Sequence, residues 1–254
     1  MTIACRTLVI ALAGVSGVAA TLHAQSVRPA VVEYAVQGRG KFELVNQTLF
    51  PLTVVLEPRG FAVDERGALT DQPFDTTNVE LRLSAMSFKI PPLGTYTVSY
   101  EAKARQLPAW FMVLAAMTGA RTSAGLNVRL ELPHVVYLLQ KEPLQKQAVT
   151  VHAFDFDSTA KTAVLELENT SDALGRVLAS ELSVNGRMGA PFGGFPLFPR
   201  SRRRVEVPWD GAEPPDRVVM RFAHFVIDER RRTVPSSAGP AGAPDDATQR
   251  REHR

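Results

Sequence analysis

The stretch that decides the fold is residues 126–139, with the sequence LNVRLELPHVVYLL. In its first half leucine or valine occupies every even position, and polar or charged residues occupy the odd positions up to 131. A period of two is typical of a β-strand with one buried face. Pro133 interrupts the alternation, an apolar run follows, and QKEP at residues 140–143 is typical of a linker. We therefore predict a long strand that closes one domain and leads into another.

The apolar face of this strand must be buried somewhere. Its side chains are those of Leu126, Val128, Leu130 and Leu132. They can pack in the core of their own domain, or the strand can offer them to another chain. The sequence leaves both alternatives open, and the choice between them decides the function.

The N-terminus has the features of a secretory signal peptide. Arg6 precedes an apolar run over residues 8–20, and Ala24 before Gln25 ends a stretch that resembles a small-residue cleavage site. The run is shorter than the roughly 20 residues that a membrane-spanning helix needs. We therefore expect residues 1–24 to be removed and the mature chain to have no membrane span.

Composition excludes several classes of protein. The only cysteine, Cys5, lies in the predicted signal peptide, so disulfides cannot stabilise the mature chain. The formal charge is +3, and the arginines form local clusters without interleaved aromatic residues, which argues against nucleic-acid binding. The roughly 230 residues that remain are enough for two domains of about 100 residues each.

The mature chain has the punctuation of an all-β protein. Short runs rich in Val, Leu, Phe, Tyr and Thr alternate with Gly, Pro, Asn and Asp about every ten residues, which is typical of a β-sandwich. In the first half we predict strands at residues 30–36, 41–45, 52–56, 79–84, 95–102, 110–117 and 126–139. The run WFMVLAAM at 110–117 is also long enough for a short helix, but Pro108 and Gly119 at its ends favour a buried strand.

An internal repeat indicates that the two halves share one architecture. FELVNQT at residues 42–48 corresponds to LELENTS at 165–171, and FKIPP at 88–92 corresponds to FPLFP at 195–199. Asparagine suits the end of a strand because its side chain bonds to nearby backbone. We therefore predict two tandem immunoglobulin-like β-sandwich domains, at residues 25–142 and 143–234. A strand at 218–227 would close the second domain, and residues 235–254 would form a disordered tail.

Motifs of enzymes and metal sites are not convincing in this sequence. DFDST at residues 155–159 resembles the D-x-D-x-T signature of haloacid-dehalogenase-type phosphatases, but a strand and an asparagine turn follow it, so a hairpin turn explains it. No metal-ligand spacing relates His134, His152, His224 and His253, and no G-x-S-x-G elbow occurs in the mature chain. We therefore predict that the protein is not an enzyme and holds no metal or cofactor.

The chain resembles the periplasmic chaperones of pilus (fimbrial) assembly. The residues that carry the resemblance extend over nearly the whole mature chain: LVN at 44–46 with Phe50 and Pro51, FKIPPLG at 88–94, QLPA at 106–109, and the strand at 126–132 with Tyr137. The resemblance implies a periplasmic protein that caps an incomplete secreted pilus-type subunit by lending it a β-strand, with an outer-membrane usher as a further partner. Main-chain hydrogen bonds would supply general affinity, and Leu126, Val128, Leu130 and Leu132 would fill the subunit's open groove.

The resemblance also implies an anchor for the subunit's C-terminal carboxylate. The family uses an arginine in the first strand and a lysine in the last strand of the first domain. Arg28 lies near the first of these positions, and no lysine occupies the second. By register from Tyr137 the closest residue is His134, and the nearest permanent cation is Arg129. Arg28, Arg129 and His134 are therefore the candidate anchor residues.

A second hypothesis uses the same two-domain frame without strand donation. In this alternative the protein is a stand-alone periplasmic or extracellular immunoglobulin-like module with a binding or structural role. The two hypotheses differ in whether the apolar face of residues 126–132 is open to a partner or packed in its own domain.

Overall fold

The structure is a computed structural model that describes residues 25–121 and 127–231. These residues divide into two compact units: one contains the chain up to Phe61 together with Asp71–Leu139, and the other contains Ala62–Thr70 together with the chain from Gln140. The predicted signal peptide and tail lie outside the described residues. No helix of the described chain is long and apolar enough to cross a membrane.

Ten strands precede Gln140, and they belong to the first unit except for residues 62–63 and 69–70. They are β1 (Ser26–Arg28), β2 (Val31–Ala35), β3 (Gln37–Val45), β4 (Leu52–Val63), β5 (Leu69–Gln72), β6 (Val79–Leu83), β7 (Ser87–Ile90), β8 (Thr95–Ala104), β9 (Ala109–Arg121) and β10 (Asn127–Leu139). One sheet has the order β1-β3-β8-β6, and the other has the order β2-β10-β9-β4-β5 with β7 beside β4. Alternate side chains of both sheets, such as Phe42, Val98, Val54 and Val113, are fully buried in one core between them.

The second unit repeats this plan. A short 3₁₀ helix (Lys146–Ala148) precedes β11 (Val149–Asp157), β12 (Thr162–Asn169), β13 (Gly175–Val184), β14 (Arg187–Leu197), β15 (Arg202–Pro208), β16 (Arg217–Arg221) and β17 (Val226–Arg230). The sheets have the orders β11-β12-β15 and β14-β13-β16-β17, with their own core between them. The predicted fold class, all-β with two tandem immunoglobulin-like sandwiches, is confirmed.

Several local predictions can be compared with the strands. The ambiguous run at 110–117 is a strand, because it lies within β9. DFDST forms the predicted hairpin turn: Asp157 Oδ1 accepts hydrogen bonds from the N–H groups of Thr159 (2.8 Å) and Ala160 (2.9 Å). The single closing strand at 218–227 is wrong, because a turn in which Phe222 N–H donates to Phe225 O (2.9 Å) divides it into β16 and β17.

The internal repeat is confirmed as a shared hydrogen-bond motif around a buried asparagine. In the first unit Asn46 Nδ2 donates to the backbone oxygens of Phe50 (2.8 Å), Pro91 (2.9 Å) and Ile90 (3.3 Å), and Asn46 Oδ1 accepts from the N–H (2.9 Å) and hydroxyl (2.7 Å) of Thr48. Asn46 is completely buried. Its side chain satisfies buried backbone groups and joins the two loops, β3–β4 and β7–β8, that connect the sheets.

The second unit forms the same motif with Asn169. Its Nδ2 donates to the oxygens of Ala173 (2.6 Å), Phe198 (3.0 Å) and Leu197 (3.4 Å), and its Oδ1 accepts from the N–H (3.0 Å) and hydroxyl (2.8 Å) of Ser171. Both asparagines match the glycosylation acceptor pattern, but their side-chain amides are buried and donate hydrogen bonds to backbone oxygens.

We expect Asn46→Ala to destabilise the protein by roughly 2 to 4 kcal/mol, because it leaves several buried backbone groups without partners. Gln47→Ala is the matched control on the neighbouring side chain and should change stability by less than about 0.5 kcal/mol. Urea denaturation of both variants measures the difference. Equal midpoints for the two variants would show that the motif contributes nothing to stability.

Candidate functional site

The candidate site is the outer edge of strand β10, which is covered along only half of its length. On one side β10 pairs antiparallel with β9 from Asn127 to Leu138. On the other side it pairs parallel with β2, and only from Val135 to Leu139. No strand of the described chain pairs with the outer side of residues 129–133. A strand with unpaired backbone groups is a template for pairing with another chain.

The backbone direction identifies the groups that are available on this edge. Val135 N–H points toward β2, since it donates to Ala30 O at 2.8 Å. Successive residues of a strand point their N–H and C=O groups to opposite sides. The outward groups before Val135 are therefore the N–H and C=O of Arg129 and Glu131 and the C=O of Pro133, and we call these groups the open edge. Pro133 fits this position because its missing N–H would point outward and not into the ladder with β9.

The side chains of β10 alternate as the sequence predicts. Arg129, Glu131 and Pro133 are exposed, whereas Val128, Leu130 and Leu132 are partly buried against the core of the first unit. These three apolar side chains are thus partly packed in their own domain and partly accessible to another chain. The fourth predicted residue, Leu126, lies outside the described residues.

The open edge exists because the chain changes sheets at Pro29. Before Pro29, β1 pairs with β3 in one sheet, with Arg28 opposite Glu43. After it, β2 pairs with β10 in the other sheet, beginning at Val31. The peptide bond between Arg28 and Pro29 is cis. One segment therefore serves both sheets, and it reaches only the second half of β10.

A bulge on β9 lies opposite the start of the open edge. Val128 pairs with Ala120 but Leu130 pairs with Met117, so β9 has one extra residue there. Gly119 in this bulge has φ of +102°, and a Cβ on it would lie 2.8 Å from Pro51 O. Glycine is required on both grounds, because other residues rarely adopt this backbone region and have no room for a side chain.

His134 fixes the point at which the open edge ends. It is completely buried, with Nδ1 2.7 Å from Pro29 O and Nε2 3.1 Å from Tyr100 Oη, which in turn is 2.9 Å from Tyr34 Oη. Since a carbonyl can only accept, Nδ1 carries the proton and donates to Pro29, and Nε2 accepts from the Tyr100 hydroxyl. The Tyr100 oxygen then accepts from Tyr34. Burial lowers the pKa of His134 and raises that of Tyr100, which keeps both side chains neutral.

The sequence analysis does not predict Tyr34 and Tyr100 as partners of His134. A signal for them exists in β3, where Gly38 and Gly40 lie two residues apart on the inner face. A Cβ at Gly38 would lie 2.7 Å from the Tyr34 ring, and one at Gly40 would collide with the Tyr34 hydroxyl. Two glycines on one face of a strand thus leave the space that an aromatic ring occupies.

The structure separates the three candidate anchor residues. His134 is not available to bind a client carboxylate, because it is buried and both ring nitrogens already have partners within the first unit. Arg129 is exposed, but it forms ion pairs with Glu131 (2.9 Å) and Glu57 (3.6 Å). The side chain of Arg28 is exposed and forms no hydrogen bond or ion pair with any described residue. It precedes Pro29, to which His134 is bonded, so it lies where the open edge ends and β2 begins.

The comparisons with known proteins concern the whole chain. No family model matches the sequence, and no curated protein matches it.

In the described residues no group of three or more His, Cys, Asp or Glu side chains is placed to hold a metal ion.

Three solved structures that resemble the chain over most of its length contain chaperones. They are the class 5 fimbriae chaperone CfaA (6% identity, TM-score 0.45, covering 83% of this chain and 100% of that one), the YadV chaperone (14%, 0.46, 80% and 92%), and the CsuC–CsuE chaperone–tip adhesion subunit complex of Csu pili from Acinetobacter baumannii (12%, 0.47, 81% and 97%). Because each TM-score is below 0.5, we base the functional proposal on the geometry of the chain itself.

We expect the stability of the protein to decrease as the pH falls from 8 to 5. The pKa of His134 is lowered from 6.5 in the folded state, so below about pH 6.5 the unfolded chain binds a proton that the folded chain does not. His134→Asn keeps a donor toward Pro29 O but cannot titrate, so its stability should depend less on pH. Urea midpoints at pH 8 and pH 5 measure both dependences. Identical pH dependences in the two proteins would contradict the buried neutral imidazole.

Proposed function

We propose that this protein is a non-enzymatic periplasmic chaperone that caps incomplete secreted pilus-type subunits by lending them strand β10. The observation that carries this proposal is the open edge, whose outward backbone groups at Arg129, Glu131 and Pro133 have no strand beside them in the described chain. A subunit that lacks one strand of its sheet also has backbone groups without partners, and pairing along β10 supplies main-chain hydrogen bonds to both chains.

The side chains of β10 give this pairing its specificity. Val128, Leu130 and Leu132 lie partly exposed beside the open edge, so a client can cover the part of each that its own domain leaves uncovered. Leu126 would extend the same face by one position. Covering apolar surface contributes about 25 cal/mol per Å², and the alternate spacing selects grooves with matching pockets.

Arg28 is the anchor residue that the geometry favours. It is exposed, it has no ion pair in the described chain, and it lies where the open edge meets β2. A client strand whose C-terminal carboxylate reaches Arg28 must run from the Val128 end of β10 toward Pro133, which is parallel to β10. A charge-assisted hydrogen bond of this kind stabilises a complex by roughly 1.5 to 3 kcal/mol. An outer-membrane usher would be a further partner of the loaded chaperone.

One observation favours the alternative, a periplasmic or extracellular binding or structural module that donates no strand. Val128, Leu130 and Leu132 already contact the core of the first unit. If that contact is their whole role, β10 is an ordinary core strand and its outer edge stays solvated.

The test removes one outward N–H and leaves the fold unchanged. Glu131→Pro deletes an N–H of the open edge that takes no part in the ladder with β9, as Pro133 already does two residues later. Glu131→Ala is the matched control, because it removes the same side chain and keeps the N–H. We expect Glu131→Pro to lose client capture and Glu131→Ala to retain it, while both keep the wild-type melting temperature to within a few degrees.

Capture is measured with p-benzoylphenylalanine in place of Arg129, in a tagged chain exported in its own host, with the same crosslinker at Leu178 of β13 as a control. Irradiation and mass spectrometry then identify the polypeptide attached at each position. Crosslinking of one secreted subunit at position 129 alone is the expected result. Equal capture by the two Glu131 variants, or no position-specific product, would contradict strand donation and favour the alternative module.

A further inference from the structure

Three large apolar side chains are exposed together at one end of the first sandwich. They belong to Leu49, Phe50 and Leu93, whose exposures are 74%, 50% and 65%. They lie in two loops that hydrogen bonds hold together, because Leu93 N–H donates to Thr48 O at 3.1 Å, and Asn46 Nδ2 donates to both Phe50 O (2.8 Å) and Pro91 O (2.9 Å). We call these three side chains the end patch. Exposed groups of large apolar residues on a soluble protein mark interaction sites more often than isolated ones do.

The second unit shows that the fold does not require leucine at these positions. Its asparagine motif places Asp172 where the first unit has Leu49, and Arg200 where it has Leu93. Arg200 N–H donates to Ser171 O at 3.0 Å, as Leu93 does to Thr48, and both residues have positive φ, 51° for Arg200 and 56° for Leu93.

On this same backbone the second unit carries a solvated ion pair. Arg200 Nε lies 2.9 Å from Asp172 Oδ1, and Ala173 replaces the third apolar residue, Phe50. The two turns are thus equivalent in structure and opposite in surface chemistry. Since the same backbone conformation forms with polar residues, the structure of the turn does not require the apolar residues of the first unit.

The end patch and the start of the open edge lie at the same end of the first sandwich, with β9 and β10 between them. Pro51 follows Phe50, and its carbonyl oxygen packs against Gly119 in the bulge of β9. That bulge lies opposite the segment from Val128 to Leu130, where the open edge starts. A chain that pairs with β10 therefore passes the end of the sandwich that carries the end patch.

The size of the end patch excludes an independent stable interface. Even if each of its side chains counted as a fully exposed aromatic of roughly 200 Å², the three would present about 600 Å². A stable interface buries roughly 800 Å² on each partner. A second copy of the chain bound through the end patch alone would be held too weakly, so the patch fits best as part of a larger surface. The open edge begins at the same end of the sandwich.

We propose that the end patch is part of the client surface: an apolar segment of the same subunit that pairs with β10 packs on Leu49, Phe50 and Leu93. This inference rests on the proposed function. It adds that the client makes a second contact outside the donated strand, at the end of the sandwich nearest Val128. It also explains why the first unit alone carries leucines in the repeated turn.

The test transfers the surface of the second unit to the first. The double variant Leu49→Asp and Leu93→Arg builds the ion pair that Asp172 and Arg200 form on the same backbone, so we expect it to fold and to keep the wild-type melting temperature to within a few degrees. The probe is the polypeptide crosslinked at position 129, purified and titrated against both proteins. We expect the double variant to bind it at least about tenfold more weakly, since apolar contacts of two leucines are lost. The reverse exchange, Asp172→Leu with Arg200→Leu, is the matched control and should leave binding unchanged.

The possible outcomes separate this inference from the proposed function. Capture at position 129 with undiminished affinity of the double variant would overturn the role of the end patch and leave strand donation intact. Absence of any captured polypeptide would overturn both. A third outcome is a dimeric wild-type protein and a monomeric double variant, with equal affinity for the client. This result would assign the end patch to contacts between copies and overturn the client contact.

Discussion

The structure of the first unit depends on one short N-terminal segment that has to supply a strand to each of the two sheets. A single N-terminal segment serves both sheets of the sandwich, and it must cross from one to the other at Pro29. Its second part, β2, therefore begins only at Val31 and covers β10 from Val135 onward. Buried backbone groups must find partners, whereas groups at an exposed edge can be left to water or to another chain. The half-covered β10 is the direct result, and the proposed function uses the half that remains.

A neutral imidazole holds this arrangement in place. His134 links β10 to Pro29, and through Tyr100 and Tyr34 it links β10 to β8 and β2. Each donor in this series meets one acceptor, and protonation of the imidazole would place a charge in the core whose only hydrogen-bond partners are an uncharged carbonyl and an uncharged hydroxyl. The same side chain stacks on Phe42, with ring centroids 4.4 Å apart. A residue that the family resemblance suggests as a client anchor is instead the residue that positions the open edge.

Alternation and turn chemistry predicted much of the fold because both are local. The period of two identified β10, and the repeated asparagine identified two equivalent turns whose hydrogen bonds agree atom for atom. The sequence analysis predicts no strand at β14, because RMGAPFGGFPL contains glycine and proline where a strand pattern needs apolar alternation. The half-pairing of β10, the burial of His134 and the ion pair of Arg129 with Glu57 depend on residues more than 70 positions away in the chain, as Pro29 and Glu57 are. No local pattern contains that information.

The most direct test of this account is the exchange of single backbone amides of the free protein, followed by NMR in heavy water. The N–H groups of Leu130 and Leu132 point toward β9, and those of Arg129 and Glu131 point outward. We predict slow exchange for the first pair and fast exchange for the second, in an alternating pattern that ends at Val135, where the bond to Ala30 begins. Equal protection of all four amides would show that another segment covers the open edge, and the central claim would be wrong.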